Sequence, residues 1–171
     1  IVLENGCISF IGFTNDGIAF YLNKEENPQS FYERKQNTEL NTIKEISIIN
    51  QKDNLKSHFF YEESVFLKIV TNDINKEVAL SVNVKDKDFN LLFTDEQFLS
   101  FKSSFKVEFP SKFLMKGIYY VDVHIYTPNI EFHDSIVELL SFEITTLPAK
   151  YSMYGNANSG LINSPLKWFS L

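Results

Sequence analysis

The chain has 171 residues, 44% of them hydrophobic, which suits one folded domain that needs no metal or disulfide and excludes an intrinsically disordered protein. Acids outnumber bases 22 to 16 and Arg34 is the only arginine, which argues against nucleic-acid binding, because phosphate neutralisation needs a basic face and base readout leans on arginine. The 17 Phe and 8 Tyr favour pleated, half-buried strands.

Cys7 is the single cysteine, so an intrachain disulfide and a cysteine-based zinc cluster are excluded, and a reducing compartment fits. No apolar run reaches the roughly 20 residues of a membrane-spanning helix. No basic-then-apolar signal peptide opens the chain. It opens on Ile1 rather than Met, and a partner domain is expected beyond it.

Residues 1–42 read as an N-terminal extension packed on the main domain. "CISFIGF" and "GIAFYL" are candidate strands, and the polar "NKEENPQSFYERKQNTELN" is an exposed loop. From Lys44 onward the period is two. Ile46 and Ile48 alternate with Glu45 and Ser47; Val65, Leu67 and Ile69 share one face; Val78, Leu80, Val82 and Val84 oppose Ala79, Ser81, Asn83 and Lys85. After a "KDKDFN" turn comes a short "LLFT" strand, then "SFKVEFP", which stops at Pro110. Gly117 opens the longest strand, "GIYYVDVHIYTP", and "LLSFEITTLP" turns Leu140, Phe142 and Ile144 inward. A short helix is expected within Asp95 to Ser103 or Asp134 to Leu139, though neither window is well capped. Closely spaced strands without a helical stripe predict an all-β, antiparallel β-sandwich over 43–171.

The stretch "KYSMYGNANSGLINSPLKWF" has Gly155 and Gly160 at the glycine spacing of a nucleotide-binding loop. Such a loop needs Lys and Ser or Thr directly after its second glycine, and a helix facing the phosphates. Leu161 and Ile162 stand there instead, so the glycines mark a tether, 158–171, that delivers a final strand.

Five segments follow one another: "EISII", "VNVKDKDFNLLFT", "FPSKFLMKGIYYVDVHIYTP", "LLSFEI" and "KYSMYGN…G…PLKW". Their best marks are the D-x-x-x-L-F turn at Asp88 to Phe93, the L-x-x-G-x-Y run at Leu114 to Tyr119, and the terminal Gly160, Pro165 and Trp168. Over about residues 43–169 this order resembles the C-terminal carbohydrate-binding domain of the ATPase subunit of Wzt-type ABC exporters, which move completed O-antigen chains across the bacterial inner membrane. The resemblance implies an immunoglobulin-like sandwich that forms a homodimer by exchanging its last strand, with Leu161, Ile162, Leu166 and Trp168 at the exchange. It implies noncatalytic binding of an O-antigen-type polysaccharide near its non-reducing end, coupled to export. The implied partners are that polysaccharide, a second copy, and the exporter's ATP-binding domain and membrane subunit. The implied place is the cytoplasm, at the inner face of the inner membrane. No cofactor is implied.

Alternation in the longest strand sends Val121, Val123 and Ile125 to the core and Tyr120, Asp122, His124 and Tyr126 to the opposite face. Aromatic rings stack on the apolar face of a pyranose, while Asp and His bond to its hydroxyls. Ser81, Asn83 and Lys85 extend this polar row, with Lys85 suited to an anionic terminal group. The row reads equally as a solvated sheet face, or one covered by residues 1–42 or a partner. Trp168 reads as a sugar platform or a packing anchor, and Tyr151 and Tyr154 as hinge packing. His58, His124 and His133 with Asp122 or Asp134 lack the order of a facial triad, so no metal is expected. A hydrolase would need two converging carboxylates, for which Asp122 and Glu143 are the candidates. No G-x-S-x-G elbow is present, and no enzyme is expected.

Overall fold

The computed structural model describes residues 1–4, 7–14, 28–35, 39–74, 76–99, 103–146 and 160–163. Within them run β1 (Val2–Glu4), β2 (Cys7–Phe10), β3 (Phe31–Glu33), β4 (Ile43–Ile49), β5 (His58–Phe59) and β6 (Val65–Thr71). They are followed by β7 (Val78–Lys85), β8 (Leu91–Leu99), β9 (Ser104–Phe109), β10 (Gly117–Thr127) and β11 (Glu131–Ile144). One sheet has the order β5-β11-β10-β7-β8, a second β3-β4-β6-β9, and β1 pairs with β2 alone. Pairing is antiparallel except where β5 meets β11 in parallel. This is the all-β sandwich that the period-two pattern predicts.

The inward residues are those the alternation selects. Ile46, Ile48, Leu67 and Ile69 from one sheet join Val78, Val84, Val121, Val123, Leu140 and Phe142 from the other in one buried cluster. At one end, Tyr119 and Phe109 both stack near Phe142, with ring centroids 5.5 and 5.9 Å away. The Tyr119 hydroxyl lies 2.7 Å from the Met115 carbonyl and 2.9 Å from that of Leu161. A tyrosine at a strand start, bonded to backbone just upstream, is the tyrosine corner of immunoglobulin-like sandwiches. The L-x-x-G-x-Y run therefore has a structural cause.

The short helix expected in one of two windows does not form among their described residues. Asp95 to Leu99 continues β8, with Phe98 opposite Ala79 and Glu96 opposite Ser81, and Asp134 to Leu139 lies inside β11. Residues 100–102 lie outside the described residues. Cross-strand pairing outweighs the weak helical preference of these windows.

The N-terminal residues also supply sheet. β3 is the edge strand beside β4, with Tyr32 opposite Ile46. Just before it, Gln29 exchanges hydrogen bonds with Ser141 of β11, while the Ser30 carbonyl accepts from Ile48 of β4. Residues 29–30 thus cross from one sheet to the other. Asp134 makes a second cross-tie, accepting from Arg34 and from the Ile43 amide at 2.7 Å each.

The tether is pinned where it is described. Met115 donates to the Leu161 carbonyl at 2.9 Å and Asn163 to that of Phe113 at 2.8 Å, with Ile162 bridged antiparallel to Leu114. Leu166 and Trp168 lie outside the described residues, as do Tyr151 and Tyr154.

Candidate functional site

The outer face of the five-stranded sheet carries every residue of the predicted row. Cross-strand pairing sets Tyr120 beside Lys85, Asp122 beside Asn83, His124 beside Ser81, and Tyr126 beside Ala79. These side chains share a face, but access to them differs. Tyr120, Asp122 and Ser81 are buried, whereas Asn83, Lys85, His124 and Tyr126 remain partly open.

Tyr120 is covered by a residue the alternation does not mark. Phe89 sits 4.5 Å from it, ring to ring, and is itself exposed. The turn that holds Phe89 is built on Asp86. One Asp86 oxygen accepts from the Asp88 and Asn90 amides, and both oxygens accept from the Asn90 side chain. Burial opposes ionisation of Asp86, yet these donors hold its pKa below the usual value. The turn keeps Phe89 at φ 61°, a left-handed backbone that a bulky residue seldom adopts.

Three polar lines cross the sheet. In the first, Lys85 reaches Asp122 at 2.7 Å and Glu138 at 3.3 Å, and the Glu138 amide donates to Asp122 at 2.8 Å. The Asp122 hydrogen bond outweighs burial and raises the Lys85 pKa. In the second, Thr94 donates to the Asn83 carbonyl oxygen, whose amide nitrogen faces His124 Nε2 at 3.2 Å. His124 Nε2 is then the acceptor, and Nδ1 donates to Ser135 Oγ at 2.9 Å. That is a neutral imidazole. Burial lowers its pKa, Asp122 works against this, and Lys85 adds to it. In the third, the Tyr126 hydroxyl donates to Glu96, which raises the tyrosine pKa.

Phe132 caps this end. It is 72% exposed, tilted against Tyr126 at 5.4 Å and edge-on to His124 at 6.1 Å. The open part of the face is therefore an aromatic pair, Tyr126 and Phe132, flanked by Ser135, Thr94, Glu96 and the His124 edge. Sequence alternation missed Phe132, Ser135, Glu138 and Phe89. The first three sit on the irregular part of β11 and the last in a turn.

Other sequence candidates stay apart. Glu143 lies opposite Ile118, four residues from Asp122, so about 13 Å of strand separates them, beyond the ~5–9.5 Å spacing of glycosidase carboxylates. Glu143 instead faces His58 at 3.6 Å. His133 meets Thr127 and Glu131. Among the described residues no three His, Cys, Asp or Glu side chains group as metal ligands would. No described helix is long and apolar enough to cross a membrane.

No protein-family profile matches the chain, and no curated protein matches it. A solved structure does. The crystal structure of the C-terminal domain of Wzt aligns with a TM-score of 0.58 over 85% of this chain and 93% of that one. This chain has the fold of a Wzt C-terminal domain. Sequence identity across the alignment is 14%, so the Wzt-like fold persists on a largely different set of side chains. What is common is the sandwich, and the chemistry of the polar-aromatic face depends on its own residues.

Proposed function

We propose that this chain is a noncatalytic carbohydrate-binding domain that recognises an O-antigen-type polysaccharide near its non-reducing end and couples recognition to ABC-transporter export. The observation that carries the reading is the Tyr126–Phe132 pair, open to solvent beside the hydrogen-bonded line of Thr94, Asn83, His124 and Ser135. The two rings offer an apolar platform for the C–H face of a pyranose. Ser135, which accepts from His124, keeps its own O–H donor for a sugar hydroxyl, and Thr94, whose proton goes to Asn83, keeps acceptor capacity. Lys85, held upright by Asp122, supplies a cation at the far end of the row. The Wzt-like fold supports the exporter setting, with the ATP-binding domain and membrane subunit as partners at the inner face of the inner membrane.

Affinity for O-polysaccharide from the source strain tests the site. Tyr126→Ala and Phe132→Ala should each weaken binding about tenfold, which is the loss of about 1.4 kcal/mol of ring contact, while unfolding midpoints hold. Undiminished affinity in both variants sinks the assignment.

A second reading, a structural dimerisation domain without direct glycan binding, draws on the pinning of Leu161 and Ile162 against 113–115. Exchange of the terminal strand with a second copy, through Leu161, Ile162, Leu166 and Trp168, costs little where a hinge lets the same strand pair in trans instead of in cis. This reading predicts a dimer that binds no polysaccharide and dissociates when 160–171 are removed.

A further inference from the structure

The four-stranded sheet has its own outer face, and a groove of about 470 Å³ runs over it, within the ~300–1,000 Å³ range of small-molecule sites. One cross-strand row makes the floor: Phe31 lies opposite Ser47, Ser47 opposite Lys68, and Lys68 opposite Lys106. Ser47 is 4% exposed. Phe31 presents a half-open ring beside it.

The wall is the turn after β4. Asn50 Oδ1 accepts from the Lys52 and Asn54 amides, and the Asp53 amide donates to the Asn50 carbonyl. Leu55 then bridges back to Ile49. The turn thus holds Asp53 and the exposed Leu55 over the floor.

Two like charges placed directly opposite across a sheet are unfavourable unless compensated. Lys106 is compensated by Asp53 and by the Phe66 ring, 4.6 Å from its ammonium. Among the described residues Lys68 pairs only with Glu45, at 3.7 Å. The formal charge of the four groups cancels, so the groove holds no net attraction for an anion. It offers charged donors and charged acceptors alternating over a half-apolar floor. That chemistry matches a ring bearing vicinal hydroxyls and one apolar face, since hydrogen bonds to charged groups are the stronger kind.

From this geometry we infer a second, neutral-sugar subsite in the groove of Phe31, Ser47, Lys68 and Lys106, on the opposite sheet from Tyr126 and Phe132. The inference rests on the polysaccharide reading above. A polymer of repeating sugars that engages both faces gains avidity that neither subsite has alone.

Amide chemical shifts of the whole labelled chain test it. The probes are neutral oligosaccharides from partial acid hydrolysis of the O-polysaccharide and, as an anionic comparator, potassium phosphate. The expected result is two saturable groups of shifts, one at Tyr126, Phe132 and His124 and one at Ser47, Lys68, Ser104 and Lys106. Ser47→Phe, which fills the floor, and the milder Lys68→Ser should each weaken the groove group about tenfold and leave the other group unmoved. A silent groove beside a responding Tyr126 group overturns the second subsite and leaves the polysaccharide reading intact. A groove that answers only to phosphate overturns the neutral class. Silence at both faces overturns both readings, and a responding groove beside a silent Tyr126 group upholds the subsite while removing the first site.

Discussion

Asp122 shows how a side chain on the outer face can be structural. Its carboxylate is 2% exposed and is held by Lys85 and by the Glu138 amide. Removing Asp122 leaves Lys85 only the exposed Glu138 and the Glu138 amide without its acceptor, so Asp122→Ala should destabilise the fold by about 2–4 kcal/mol in urea unfolding. A loss under about 1 kcal/mol would mean that solvent reaches Lys85 freely. His124 carries a pH signature of its own. Because burial keeps its folded pKa below 6.5, the unfolded chain takes up a proton that the folded chain refuses. His124 therefore costs nothing above about pH 6.5, and stability falls as pH drops from there toward the folded pKa. Urea midpoints at about pH 7.5 and pH 5 should lie closer together in His124→Gln than in the parent. An unaltered gap would show that His124 titrates normally in the folded protein.

At the level of elements, β11 shapes the site through its irregularities. Val121 pairs with Leu140 and Val123 with Ile136, so residues 137–139 together oppose Asp122. At the crest of this bulge Glu138 takes φ 58°, which turns its amide toward Asp122. A glycine adopts that backbone freely, and the Glu138–Lys85 contact is surface-exposed and weak. Glu138→Gly should thus change stability by less than about 0.5 kcal/mol, whereas the β-branched Glu138→Val should lose more than about 1 kcal/mol. Equal losses in thermal unfolding would place the bulge elsewhere. The same bulge explains what the sequence hid. Strict alternation made β6, β7, β9 and β10 legible, together with the inward side of β11 from Leu140 to Ile144. It slips by two residues at 137–139 and shifts again between Ile125 and Tyr126, so Phe132 and Ser135 could not be assigned a face. The three-residue β3 is too short to show a period. Burial was equally illegible. Periodicity gives the side of the sheet on which Tyr120, Asp122 and Ser81 lie, but not that Phe89 or a salt bridge covers them.

For the whole molecule, the sandwich leaves two outer faces on opposite sheets, one bearing Tyr126 and Phe132 and the other the Ser47 groove. Gln29 with Ser141 and Arg34 with Asp134 tie the sheets together, and both ties draw on residues before the first regular period. A cut between residues 42 and 43 would therefore remove the edge strand of the second sheet along with those ties. A net charge of −6 makes long-range attraction to a polyanion unfavourable, so recognition has to come from local contacts. Those contacts are the account's central claim. Calorimetric titration of the whole chain with O-polysaccharide from its source strain, beside the same polymer trimmed at the non-reducing end, tests it most directly. The predicted result is saturable heat with the intact polymer and markedly weaker binding on trimming, the Ser47 groove still taking sugars of the repeat; absence of heat with either polymer, from a folded protein, would contradict it.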